Sequence, residues 1–95
     1  MFIILLKFSD NKGQAGQVMD GHNAWIKRGF DDGVFLLVGG LQPSLGGGIL
    51  AHNTTLEDLQ ARVNEDPFVR ENVVRAEIIE MKPARADERL QFLLD

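Results

Sequence analysis

Phe2-Ile3-Ile4-Leu5-Leu6-Lys7-Phe8 opens the chain as a run of aliphatic and aromatic residues broken only by Lys7, and Ser9-Asp10-Asn11-Lys12-Gly13 ends it. Turn-forming residues stop the run well short of helix length, so the stretch reads as a β-strand. Its apolar residues do not alternate with polar ones. A strand of that composition is expected to be covered on both faces.

From Gln14 to about Asp32 the period changes. Ala15, Val18, Met19, His22, Trp25, Ile26 and Phe30 recur at three- and four-residue steps, the mark of an amphipathic helix, and Asp32-Gly33 ends it. Val34-Phe35-Leu36-Leu37-Val38 reads as a second buried strand, Gly39 to Gly48 as a turn-rich connection, and Ile49-Leu50-Ala51-His52 as a short third strand. Thr54 with Glu57, and Thr55 with Asp58, both fit a capping box that opens a second helix. That helix turns Leu56, Leu59 and Val63 inward and runs to about Asn64. Asp66-Pro67 then has the cap and first-turn residues of a further helical turn. Val73 to Met81 is the fourth strand, ended by Pro83, and Asp87 to Leu94 is expected to be a short helix presenting Leu90, Leu93 and Leu94.

The order β-α-β-β-α-β is that of an α+β, ferredoxin-like fold. It predicts one antiparallel four-stranded sheet in the spatial order 4-1-3-2, with both helices on one face. Residues 1–83 form this domain and residues 84–95 a tail. Something must cover the other face. The eight residues from Asp87 to Leu94 are too few to span four strands, so a second copy of the chain is the expected cover and a homodimer the expected assembly.

Composition narrows the function. Ninety-five residues make one domain, 44% hydrophobic and 25% charged. The net charge is −4 and the ten basic residues are scattered, which disfavours nucleic acid as a partner. The absence of cysteine removes disulfides, thiol nucleophiles and thiolate metal sites together. The apolar run at the N-terminus is shorter than a signal peptide requires and far shorter than the ~20 residues of a membrane span, so a cytoplasmic location is expected, with no membrane partner.

His22 is the most informative residue. Four positions after Val18 and four before Ile26, it shares the apolar face of its helix. A histidine there is either a core residue bonded to a backbone carbonyl or a general acid–base group, and by pattern alone the core reading is the commoner. Asp66 likewise has two readings: a helix cap, or the carboxylate that holds His22 in one tautomer and stabilises its charged form. Spacing does not decide between them.

Phe2 to Phe8, His22 followed by Ala24-Trp25, Gly33 to Gly40, Gly47-Gly48-Ile49-Leu50 and Asp66-Pro67-Phe68, in that order, resemble the YCII-related (YciI-like) family from about Met1 to Pro83. The resemblance implies a dimeric α+β barrel with an active site made from a histidine and an aspartate, here His22 and Asp66. Family members include a dehydrochlorinase of chlorinated hydroxyhydroquinones, and muconolactone isomerases share the wider barrel fold. The expected function is therefore a small cofactor-independent enzyme, a lyase or isomerase acting on a small organic substrate by proton transfer. A non-catalytic dimeric domain that binds a small molecule is the alternative.

Other residues carry weaker signals. Trp25 and Phe35 are candidate walls for a flat ligand, and His52 a candidate third contact, each with a core or surface role as the commoner reading. His22, His52 and Asp66 have no ligand spacing, so no metal or cofactor is expected. Gly46-Gly47-Gly48 lacks the lysine and the following helix of a phosphate loop and reads as a tight hairpin or a place where a ligand approaches the backbone. Ser44 is a turn residue, and Arg70 and Arg75 are solvated charges.

Overall fold

The computed structural model describes residues 1–94. Its elements are β1 (Phe2–Phe8), α1 (Ala15–Asp31), β2 (Phe35–Leu41), β3 (Gly46–Ala51), α2 (Leu56–Asn64), α3 (Pro67–Arg70) and β4 (Val74–Glu80), with short 3₁₀ turns at Lys12–Gln14 and Glu88–Leu94. The four strands form one antiparallel sheet in the order β2-β3-β1-β4, as expected for the ferredoxin-like arrangement.

Pleating decides which residues of β1 enter the core. Successive side chains point to opposite faces, so Phe2, Ile4 and Leu6 are buried under the helices while Ile3 and Leu5 are only half-buried on the other face. Trp25 of α1, Leu59 and Val63 of α2 and Phe68 of α3 pack on the inner residues in one cluster. Register carries the outer row across the sheet: Ile3 stands opposite Leu50 and Ile79, and Leu50 opposite Leu37. Within one chain, then, β1 is covered on one face, and its outer face is an apolar shelf on which Leu37 is 59% exposed.

Helix α1 lies close to β2. A Cβ on Gly29 would stand 2.1 Å from the Phe35 ring, so glycine is what lets helix and strand approach. The two long helices are tied together where Trp25 Nε1 donates to the Arg62 carbonyl at 2.9 Å, and the Arg62 guanidinium pairs with Asp32 at 2.9 Å. The cap of α2 forms as the sequence indicates, Thr55 Oγ1 accepting from Asp58 N at 3.1 Å.

Two expectations are corrected. The connection between β2 and β3 is shorter than the glycines suggest: Gly39 and Gly40 continue β2, Gly46 to Gly48 begin β3, and only Gln42 to Leu45 turn. Glycines here pair across the strands, Gly39 with Gly48 and Gly40 with Gly47, leaving a shallow trough rather than a loop. His52, expected on the third strand, falls one residue beyond it. In the tail, the Glu88–Leu94 turns leave Leu90, Phe92 and Leu94 exposed, and Phe92 meets the His52 ring edge-on; Asp95, the last residue of the expected tail, lies outside the described residues. Among the described residues no helix is long and apolar enough to cross a membrane.

Candidate active site

The site begins with a local conflict at the end of α2. The chain must turn sharply into α3, and Asp66-Pro67 accomplishes it: Pro67 takes the first helical position, where its missing N–H costs nothing, and Asp66 in extended conformation caps the helix. Asp66 Oδ1 accepts from the Phe68 backbone N–H at 3.0 Å. That geometry buries the carboxylate completely, at 0% exposure.

The same oxygen faces α1. His22 Nδ1 lies 2.8 Å from Asp66 Oδ1, joining residues 44 apart in the sequence. With Asp66 as a carboxylate, which only accepts, Nδ1 carries the proton and Nε2, across the ring, is the basic nitrogen. The second carboxylate oxygen, Oδ2, is buried without a hydrogen-bond partner among the described residues. A buried charge that has only part of its hydrogen bonds is costly to keep, and such groups concentrate where chemistry needs them.

Aromatic rings fix the imidazole in the remaining directions. Phe68 lies parallel to it, with centroids 3.8 Å apart and planes within 3°, and Trp25 stacks at 6.0 Å. Asp66-Pro67-Phe68 therefore acts twice on His22, through the Asp66 carboxylate and through the Phe68 ring.

His22 is 12% exposed and borders a hollow of about 210 Å³ between α1 and the sheet. Leu6, Met19, Phe68 and Val74 make its walls apolar, and the backbone of Gly46-Gly47 forms one side. Gly46 has φ +130°, and a Cβ there would stand 1.9 Å from the Leu6 carbonyl oxygen, so position 46 admits no side chain. Of the lining side chains among the described residues, only His22 and Asn23 carry a nitrogen or oxygen.

The structure thus brings His22 and Asp66 together and separates the other residues singled out from the sequence. Trp25 (1% exposed) and Phe35 (3% exposed) are sealed in the core, Trp25 behind the imidazole rather than on the wall of the hollow. His52 borders a different cleft with Met1, Asn53 and Phe92. Among the described residues no group of three His, Cys, Asp or Glu side chains is placed to hold a metal ion. Sequence reasoning missed Met19 and Asn23. Met19 precedes His22 by one helical turn and so shares its face; Asn23 follows it directly, a position that periodicity assigns to solvent.

No protein-family model matches the chain, and no curated protein sequence matches it. Among solved structures the fold is similar to that of 5-chloro-2-hydroxyhydroquinone dehydrochlorinase (TftG) from Burkholderia phenoliruptrix AC1100 in complex with 2,5-dihydroxybenzoquinone, with a TM-score of 0.69 over 86% of this chain and 94% of that one. The two share 11% sequence identity, so the likeness establishes the α+β, ferredoxin-like fold and leaves the chemistry to be argued from the site.

Proposed function

We propose that the chain is a small enzyme of the YCII-related kind, working as a homodimer without a cofactor, and that it performs an elimination or isomerisation on a small organic molecule with His22 and Asp66 as its acid–base pair. The observation that carries this reading is the 2.8 Å contact between His22 and a fully buried Asp66 at the wall of a hollow. A core histidine satisfied by a backbone carbonyl would need neither the carboxylate nor the opening.

In this reading Nε2 of His22 removes a proton from a hydroxyl, or from a carbon next to a carbonyl. Asp66 stabilises the imidazolium that forms, as the aspartate of a His–Asp pair does. The electrons left behind expel a leaving group such as chloride, giving elimination, or the imidazolium returns the proton to another atom, giving isomerisation. The dehydrochlorinase whose fold is similar makes an activated phenolic ring the first substrate class to try. A positioned base contributes ~100- to 10,000-fold, enough for a substrate already prone to lose the proton.

The test compares wild type with Asp66→Asn and His22→Ala, reading chloride release from 5-chloro-2-hydroxyhydroquinone and proton exchange in a panel of one-ring phenols and enones. Asparagine still caps α3, so the fold is retained while the stabilising charge is gone. The expected result is activity in wild type and a loss of roughly 100-fold or more in each variant. Activity that survives both substitutions would overturn the assignment of His22 and Asp66, whereas ligand binding with no turnover anywhere in the panel would favour the binding-domain alternative.

A further inference from the structure

Proton abstraction leaves negative charge on the substrate, usually on an oxygen, and the hollow beside His22 is built almost entirely of groups that cannot receive it. Leu6, Met19, Phe68 and Val74 offer no donor. Gly46 and Gly47 lie in the strand that pairs with both β1 and β2, where backbone amides are engaged by the sheet. A developing charge against apolar walls is unfavourable unless some group donates to it. Among the described residues no lysine or arginine lines the hollow.

We infer that Asn23 is the residue that binds the substrate's oxygen, its side-chain amide donating to the carbonyl or hydroxyl as charge develops there. Asn23 and His22 are consecutive on α1 and both border the hollow. Consecutive side chains leave a helix about 100° apart, so the two reach a bound molecule at different atoms, His22 at the proton to be moved and Asn23 at the oxygen that keeps the electrons. The amide of Asn23 has no hydrogen bond to another side chain or to the backbone among the described residues that would occupy it. The same arrangement specifies the ligand class: one compact single-ring molecule with an acidic O–H or C–H close to a carbonyl or phenolic oxygen. A hollow of about 210 Å³ is in the range that one six-membered ring occupies, since an apolar cavity of about 150 Å³ already accepts benzene.

This inference rests on the acid–base reading of His22, and the experiment separates the two. Wild type, Asn23→Ala, Asn23→Asp and His22→Ala are titrated with 2,5-dihydroxybenzoquinone, following the fluorescence of Trp25 and the side-chain amide resonances of Asn23. Chloride release from 5-chloro-2-hydroxyhydroquinone is measured in parallel. Asn23 is exposed on a helix, so alanine there leaves the fold intact. In wild type the Asn23 amide resonances move on binding. Asn23→Ala weakens binding about tenfold and lowers kcat by more than it raises KM, as expected for a hydrogen bond that strengthens with charge. Asn23→Asp, which can only accept and repels the developing charge, is worse than alanine. Binding and turnover lost in His22→Ala but unchanged in Asn23→Ala would overturn the assignment of Asn23 and leave the acid–base reading standing. Saturable binding indifferent to both substitutions, or none at all, would overturn both.

Discussion

The two faces of the sheet are made from the same strands and differ in almost everything else. On the inner face Ile4 is 0% exposed, held between α1, α2 and the neighbouring strands, and this packing presses α1 and α3 together so that His22 meets Asp66. One residue earlier, Ile3 points the other way, onto a shelf with Leu5, Leu37, Leu50 and Ile79 that no helix covers among the described residues. A strand with apolar residues at every position does not by itself reveal which face its own domain buries. Helices cover one face, and the other is an apolar surface of the kind that marks an interaction site. The inner face carries the candidate site, and under the proposed function the outer face is the one a second copy covers.

The adjacent isoleucines give the sharpest way to break this comparison, because they are identical in chemistry and opposite in direction. In urea unfolding at concentrations where the chain is monomeric, Ile4→Ala is expected to cost about 2–5 kcal/mol by cavity formation. Ile3→Ala, already half in water, is expected to cost roughly 1 kcal/mol. Equal costs would mean that the outer face is covered within a single chain, and the case for a second copy would collapse.

Association provides the next measurement. Sedimentation at micromolar concentration should find a dimer, and Leu50→Lys should convert it to a monomer with unchanged far-ultraviolet circular dichroism. A lysine between Ile3 and Leu37, at the centre of the apolar row, is tolerated by a solvated surface but not by a dry interface between copies. A wild-type chain that sediments as a monomer would remove the dimer from the proposal and leave the His22–Asp66 geometry untouched.

The smallest effect is expected far from both faces. Arg89 donates to Asp87 from its side chain at 3.0 Å and from its backbone at 2.9 Å, and the side-chain bond first, then the backbone bond, holds the Asp87 carboxyl below its ordinary value. A depressed carboxyl stabilises the folded tail above the ordinary aspartate value of about 3.9, and that contribution is lost as the pH falls through the lower folded value. The protection factors of the Glu88–Leu94 amides, exchange rates corrected for their intrinsic pH dependence, should therefore fall below about pH 4 in wild type and stay level over that range in Asp87→Asn. Because Asp87 is fully solvated, the global midpoint of unfolding should barely move.

Much of this was legible in the chain itself. The strand Phe2–Phe8, the 3.6-residue period of α1, the Thr55 cap and the Asp66-Pro67 helix start are local signals, and each survives because the tertiary structure asks nothing different of those residues. The order of elements then restricts the sheet to β2-β3-β1-β4, since antiparallel neighbours and unknotted crossings leave few alternatives. Glycine was the misleading signal: Gly39, Gly40 and Gly46 to Gly48 look like a loop but pair as strand, because cross-strand hydrogen bonding to β1 and β2 overrides their weak intrinsic preference.

Sequence by itself determined that His22 lies on a buried helix face and that Asp66 starts a helix. Only the tertiary structure decided that the two share a hydrogen bond, that Phe68 lies flat on the imidazole, that Trp25 and Phe35 are buried in the core and that Asn23 stands at the hollow. The physical reason is range. Periodicity and capping are set within one or two turns of chain, whereas a contact between residues 44 apart depends on how α1 and α3 pack across the sheet, which no local pattern encodes.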